Sequence, residues 1–187
     1  QPLHHALHHL VALAREHRAD GALGDFLVER RLHDRAQPHL GIAQIDMADL
    51  PAAQASLAAA EALWTADNVL GRIKTLFGKG YLMLRMANHQ EAVRSAEEAL
   101  QAARACGRRS WEGHCLNLLA IAEPDLARHG LLLEQSLEVW TDLGDLPNQS
   151  VALYNLSLWY LAFGMFERAA ELAEQSWQVT QVLRLNT

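Results

Sequence analysis

The sequence predicts an all-α protein built as an array of antiparallel helix pairs, and four observations predict it. Apolar residues recur at steps of three and four along nearly the whole chain, which puts one face of each segment on a neighbour because the α-helix turns every 3.6 residues. No segment shows the strict alternation of a half-buried strand. Half of the 187 residues are hydrophobic but only 6% are aromatic, and alanine and leucine dominate; these are the strongest helix formers. Finally, a short phrase returns: AAEAL at 59–63, AEEAL at 96–100, LEQSL at 133–137 and AEQSW at 173–177, the last three offset by 37 and 40 residues. A lone pair of short helices cannot bury enough surface to be stable. A period in the high thirties with two helices in it is therefore the signature of a stacked array.

The elements follow in order. Leu3–Arg18 places Leu3, Ala6, Leu7, Leu10 and Leu13 on one face, and Asp20-Gly21 stops it. Ala22–Ala36 is a second helix. Pro38 suits the first turn of a third, where a missing N–H costs nothing, and that helix runs to about Met47. Asp49-Leu50-Pro51 turns into a fourth, Ala52–Thr65. Asn68–Met86 and Gln90–Ala105 form a pair around Ala87-Asn88-His89, closed by Cys106-Gly107. Ser110 is a natural N-cap for Trp111–Ala122. Glu123-Pro124-Asp125 breaks that helix, since proline disfavours helical backbone in the residue before it, and Leu126–Leu143 returns. Gly144-Asp145 with Pro147 makes the next turn, and Val151–Leu183 reads as a last pair broken at Gly164. In its first helix Leu153, Leu156, Tyr160 and Phe163 form the apolar face; in its second Ala169, Leu172, Ala173, Ser176 and Thr180 make a narrow small-residue stripe.

The length suits one domain across 1–187, with about three to four repeats after an N-terminal helix pair. A formal charge of −6 argues against direct nucleic-acid contact, which needs a basic stripe to displace counterions. No run of about eighteen apolar residues offers a membrane span. The start, Gln1-Pro2-Leu3, lacks an initiator methionine and the features of a signal peptide, so the chain reads as a fragment of a larger cytoplasmic protein. Cys106 and Cys115 flank one turn between helices; a bridge is geometrically feasible, but two reduced thiols are the expectation in a reducing compartment.

The repeat units resemble the tetratricopeptide repeats. With Ala92 as the family's first small return-helix residue, Gly80 falls at its glycine and Ala96 and Ala99 at the following small positions; Ala53 likewise brings Gly41 to the glycine. With Ala169 in that role, Leu153, Leu156, Tyr160 and Phe166 fall at the large apolar positions. The departures are Ser157 in place of glycine, His129 in place of alanine, no closing proline, and repeats longer than the usual thirty-four. That longer form, over roughly residues 37–184, is similar to the arrays of bacterial LuxR-type and antibiotic-pathway regulators and signalling ATPases. The resemblance implies a right-handed superhelix that binds protein or peptide, or a small effector, on its concave face.

By the family register that face carries Lys74, Phe77, Tyr81, Leu84 and Arg85, then Trp111, His114, Leu118 and Ile121, then Val151, Tyr154, Asn155, Leu158 and Leu161. Aromatics with an arginine and an asparagine suit an extended peptide or a ligand of mixed polarity, although aromatics at helical spacing also serve ordinary interhelix packing. The resemblance also weakens one reading: a clamp for a C-terminal carboxylate needs asparagines in successive units, and only Asn155 matches, with Cys115 and Gly78 at the other positions. His4, His5, His8 and His9 form two i,i+4 pairs that share a helix face with room for a metal, but no third ligand type or HExxH motif accompanies them, so a solvated polar face is the expectation. No phosphate loop, nucleophile elbow or paired-carboxylate motif appears, so neither catalysis nor a cofactor is expected. On the last helix Trp177, Val179, Val182 and Leu185 lie beyond the stripe its own partner needs. That face is expected to continue into further structure or to receive a second copy as a homodimer, because a terminal cap is polar on its outer side.

Overall fold

Five of the turns close in the same way. In each, a backbone N–H donates to the carbonyl five residues earlier: Asp49 to Gln44, Asn88 to Met83, Arg108 to Ala103, Asp145 to Trp140 and Met165 to Tyr160. The residue just before each donor is left-handed: Ala48, Ala87, Gly107, Gly144 and Gly164. This is the Schellman closure, which satisfies the last carbonyls of one helix while turning the chain. In three of the five the donor then caps the next helix, with Asp49, Asn88 and Asp145 accepting from the N–H three residues on. One residue thus ends one helix and starts another, which keeps the connections to a few residues.

The computed structural model describes residues 38–63 and 68–185. The two helices expected before residue 37, and with them His4, His5, His8 and His9, lie outside the described residues. Eight helices follow: α1 over 38–46, α2 Leu50–Ala62, α3 Val69–Arg85, α4 His89–Ala105, α5 Arg109–Ala122, α6 Leu126–Leu143, α7 Leu146–Ala162 and α8 Phe166–Leu185. No strand occurs among the described residues. The pairs α3/α4, α5/α6 and α7/α8 are antiparallel hairpins, and α5 packs on α4 and α7 on α6. The fold is all-α and built of repeated helical hairpins.

Two helix starts differ from expectation. Ser110 does not cap α5: the helix begins at Arg109 behind Arg108, which makes no side-chain cap bond. The left-handed Gly107 completes its turn so tightly that no residues remain for a separate cap. Instead Arg109 is held by Glu112 at 2.8 Å and Asp142 at 2.9 Å. The second difference is α7, which starts at Leu146 and not near Val151. Pro147 lies in its first turn, where proline is tolerated, and the Asp145 carboxylate accepts from the Asn148 N–H at 3.1 Å and amide side chain at 3.0 Å.

The core runs through the array. Leu76, Ala96, Ala99, Leu100, Leu116, Leu119, Leu133, Val139, Leu153, Leu156 and Leu172 form one buried cluster, and Ile45, Ala53, Leu57 and Leu82 form a second beneath α1 and α2. Small residues sit where helices approach most closely. A Cβ on Gly80 would lie 3.2 Å from the Ala92 carbonyl and 3.4 Å from the Ala96 nitrogen, so α3 and α4 touch backbone to backbone there. In α8 the small stripe is partly a polar seam: Ser176 donates to the Ser150 carbonyl at 2.9 Å, and the Ser150 hydroxyl meets Thr180 at 2.9 Å. Ala169, Leu172 and Ser176 are buried as the stripe requires, but Ala173 and Phe163 are exposed, and Val179 packs inward against the core.

Tryptophans supply a device absent from the expected pattern. A Cβ on Gly113 of α5 would stand 2.6 Å from two Trp140 ring atoms of α6, and one on Gly130 of α6 would stand 2.6 Å from the Trp159 ring of α7. Each indole occupies the space a side chain would otherwise take. The Trp159 Nε1–H is satisfied by the Leu126 carbonyl at 3.1 Å.

Candidate partner-binding face

The first helices of the three hairpins, α3, α5 and α7, lie side by side on one face of the array. Phe77 of α3 meets Trp111 of α5 with ring centroids 5.6 Å apart and edge to face. Asn155 of α7 donates through Nδ2 to Asn117 Oδ1 of α5 at 2.8 Å. The three helices therefore make one surface rather than three separate ones.

At the α3/α5 end the surface is aromatic and cationic. His114 lies against Phe77, Trp111 and, at 4.8 Å, Trp140. Edge-to-face contacts of this kind are attractive because the ring faces are electron-rich and the edges are not. Burial lowers the His114 pKa, with the Asp145 charge working the other way; the ring is neutral at pH 7. The Lys74 ammonium stands 5.8 Å from the Trp111 ring centroid and 2.8 Å from His39 Nε2. Burial and the nearby lysine both depress the His39 pKa, so its ring is neutral and accepts from Lys74. Tyr81 donates to Asp46 at 2.9 Å, and its pKa is raised by burial and by that carboxylate.

The α7 end is apolar. Val151, Tyr154, Leu158 and Leu161 recur along one side of α7 and each is about half exposed, between 44% and 54%. Ile121 of α5 is exposed to a similar degree. Between these residues lies the asparagine pair. Its internal bond uses one donor and one acceptor, leaving Asn117 Nδ2 and Asn155 Oδ1 to meet an approaching amide. A row of half-exposed large side chains beside amide groups is the chemistry of a peptide or helix groove, where apolar anchors supply energy and amides fix the register.

The structure places the expected residues unevenly. Phe77, Trp111 and His114 meet one another, Lys74 stands over the Trp111 ring, Asn155 bonds Asn117, Tyr81 bonds Asp46, Tyr154 and Leu158 are about half exposed on α7, and Arg85 is exposed in the last turn of α3. Leu118 is not at the surface: it is 4% exposed, packed in the main core and 3.1 Å from the Cβ position of Gly80. Its place in α5 turns it towards α3, so it supports the face from beneath. Leu84 likewise packs against the core. Asn117 and His39 were not singled out from the sequence. Asn117 sits at the position of Gly80 in the preceding hairpin, and a polar residue where a small one is expected was the available signal.

Cys115 is buried and its thiol is pushed up to about 12 by burial, so it stays protonated, while Cys106 is exposed. Among the described residues no group of three or more His, Cys, Asp or Glu is placed to hold a metal ion. No described helix is long and apolar enough to cross a membrane.

No protein-family model matches the chain, and no curated protein sequence matches it. Among solved structures, the crystal structure of the apo form of RapI is similar, with a TM-score of 0.66 and 14% sequence identity over 98% of this chain and 50% of RapI. The chain thus spans about half the length of RapI. At that identity the likeness is one of fold, and it agrees with a helical-repeat architecture.

Proposed function

We propose that this protein is a non-catalytic recognition module that takes a segment of a partner protein, helical or extended, along the face made by α3, α5 and α7. One observation carries the reading: four large apolar side chains of α7, Val151, Tyr154, Leu158 and Leu161, stand about half exposed in a row beside the Asn117–Asn155 pair. Large apolar side chains left in water in a continuous row mark an interaction site. The aromatic and cationic end around Lys74, Phe77, Trp111 and His114 then reads the polar end of the same segment, or a small effector. In this reading the protein works in the cytoplasm, and the array is the sensing arm of a bacterial transcriptional regulator or signalling ATPase. That context rests on the resemblance of the repeats.

The test is a peptide-display selection on the purified chain, repeated with Tyr154→Asp and Leu158→Asp combined. Peptides enriched on the parent chain should bind the double variant at least about tenfold more weakly, as loss of central anchors does. Equal binding to both would refute the proposed face. A second reading, an assembly scaffold that self-associates through its end, has its own observation in the exposed outer side of α8.

A further inference from the structure

We propose that the outer side of α8 is a docking surface for a second copy of this chain, with α8 antiparallel to α8 and Trp177 of each copy laid over the partner's Ala170 and Ala173. The inference rests on the self-association reading and is independent of the α3/α5/α7 face.

It begins from equivalent positions. The fifth, eighth and twelfth residues are Val93, Ala96 and Leu100 in α4, Gly130, Leu133 and Leu137 in α6, and Ala170, Ala173 and Trp177 in α8. In α4, on which α5 packs, they are buried or half-buried, and in α6, on which α7 packs, they are too, with Trp159 of α7 laid on Gly130. In α8 all three are exposed, Trp177 to 54%, and Phe166 one turn before them to 68%. The same strip of helix that twice accepts a neighbouring helix inside the chain is therefore presented bare a third time. This continuity with an interface already used twice argues that the occupant is a helix.

The side chains argue that the helix is another α8. A two-fold interface must be complementary to itself, and α8 carries both halves of a lock: a bulky indole and, within two turns before it, two alanines. The chain already uses that lock internally, where Trp159 of α7 lies against Gly130 of α6, and Ala170 is the α8 counterpart of Gly130. Charge selects the direction. In the first half of α8 Arg168 pairs with Glu171 at 2.8 Å, so the acidic charge there is that of Glu167 and Glu174, and Arg184 lies in the last turn with its guanidinium 5.8 Å from the Trp177 ring centroid. Antiparallel packing brings Arg184 beside the partner's Glu167 and leaves Glu174 near the two-fold axis, whereas parallel packing would set Glu167 on Glu167, Glu174 on Glu174 and Arg184 on Arg184.

Sedimentation of the whole chain at rising concentration, with circular dichroism to verify folding, tests this. The parent chain should pass from monomer to dimer. Trp177→Glu and, separately, Ala173→Glu should weaken the dimer by more than about tenfold, the effect of removing a central aromatic anchor. Tyr154→Asp, on the other face, should leave it unchanged. A monomer at every concentration would overturn both the self-association reading and the docking surface. A dimer that both α8 variants leave intact, or that Tyr154→Asp dissociates, would overturn the docking surface alone.

Discussion

Replacing Gly113 by alanine isolates the contact that joins α5 to α6. In an unhindered helix interior this change stabilises by about 1 kcal/mol, because glycine loses more backbone freedom than alanine on folding. Here the new Cβ would lie 2.6 Å from Trp140 Cε2 and Cζ2 and 3.1 Å from Cδ2. Trp140 is 2% exposed and meets His114 at 4.8 Å, so the rigid indole has little room to retreat. Overpacking of that kind costs about 1–3 kcal/mol. The net expectation for Gly113→Ala is a loss of up to about 2 kcal/mol, once the helix gain is set against the clash. In a Trp140→Leu background the obstacle is gone, and the same Gly113→Ala should stabilise by about 1 kcal/mol. Urea denaturation of the four proteins gives the coupling between the sites, expected at about 1–3 kcal/mol. If Gly113→Ala raises stability equally in both backgrounds, the indole-on-glycine lock does not hold the hairpin.

Other outcomes follow from the same geometry. Ala48 and Ala87 adopt φ of 61° and 58°, a conformation that costs an L-residue about 1–2 kcal/mol; Ala87→Gly should raise the melting temperature, and an unchanged or lower value would contradict the turn. The Glu112 carboxyl, pushed up by burial, is held below its ordinary 4.5 by hydrogen bonds from Arg104 and Arg109. That contribution is complete above the unfolded value and is lost as pH falls through the folded one, so Glu112→Gln should flatten the acid limb of the stability curve below about pH 4.5 and cost about 1 kcal/mol at neutral pH. His39, His114 and His129 are all lowered by burial from 6.5. Below that value the unfolded chain takes up protons that the folded chain resists, so stability should fall as pH drops from 6.5; His114→Phe should reduce the slope, measured by thermal melts. A thiol reagent should modify Cys106 in the folded protein and reach Cys115 only on unfolding, because burial keeps that thiol protonated and covered.

The helix pairs were legible because short-range physics fixes them. The 3.6-residue spacing of leucines and alanines and the turns at Asn88, Gly144 and Gly164 are decided within a few residues of chain. The start of α5 was not legible, because Ser110 and Arg108 both lie near a usable start and the choice between them was made by how tightly Gly107 turns. The start of α7 was missed because proline at a first turn and proline in a loop look alike until the Asp145 cap is seen.

By itself, the sequence determined an all-α array of hairpins and put the candidate face residues on the first helix of each pair, since periodicity and turns are local. Only the tertiary structure decided which of those residues a partner can reach. Leu118 and Ile121 are one turn apart on α5, yet the first is 4% and the second 46% exposed, because Leu118 packs against Gly80 of α3 while Ile121 is left about half open among the described residues. It likewise decided that Gly113 and Gly130 are seats for indoles and not mere helix breakers. Such facts depend on distances between residues far apart in the chain, and one helix's pattern carries no record of them.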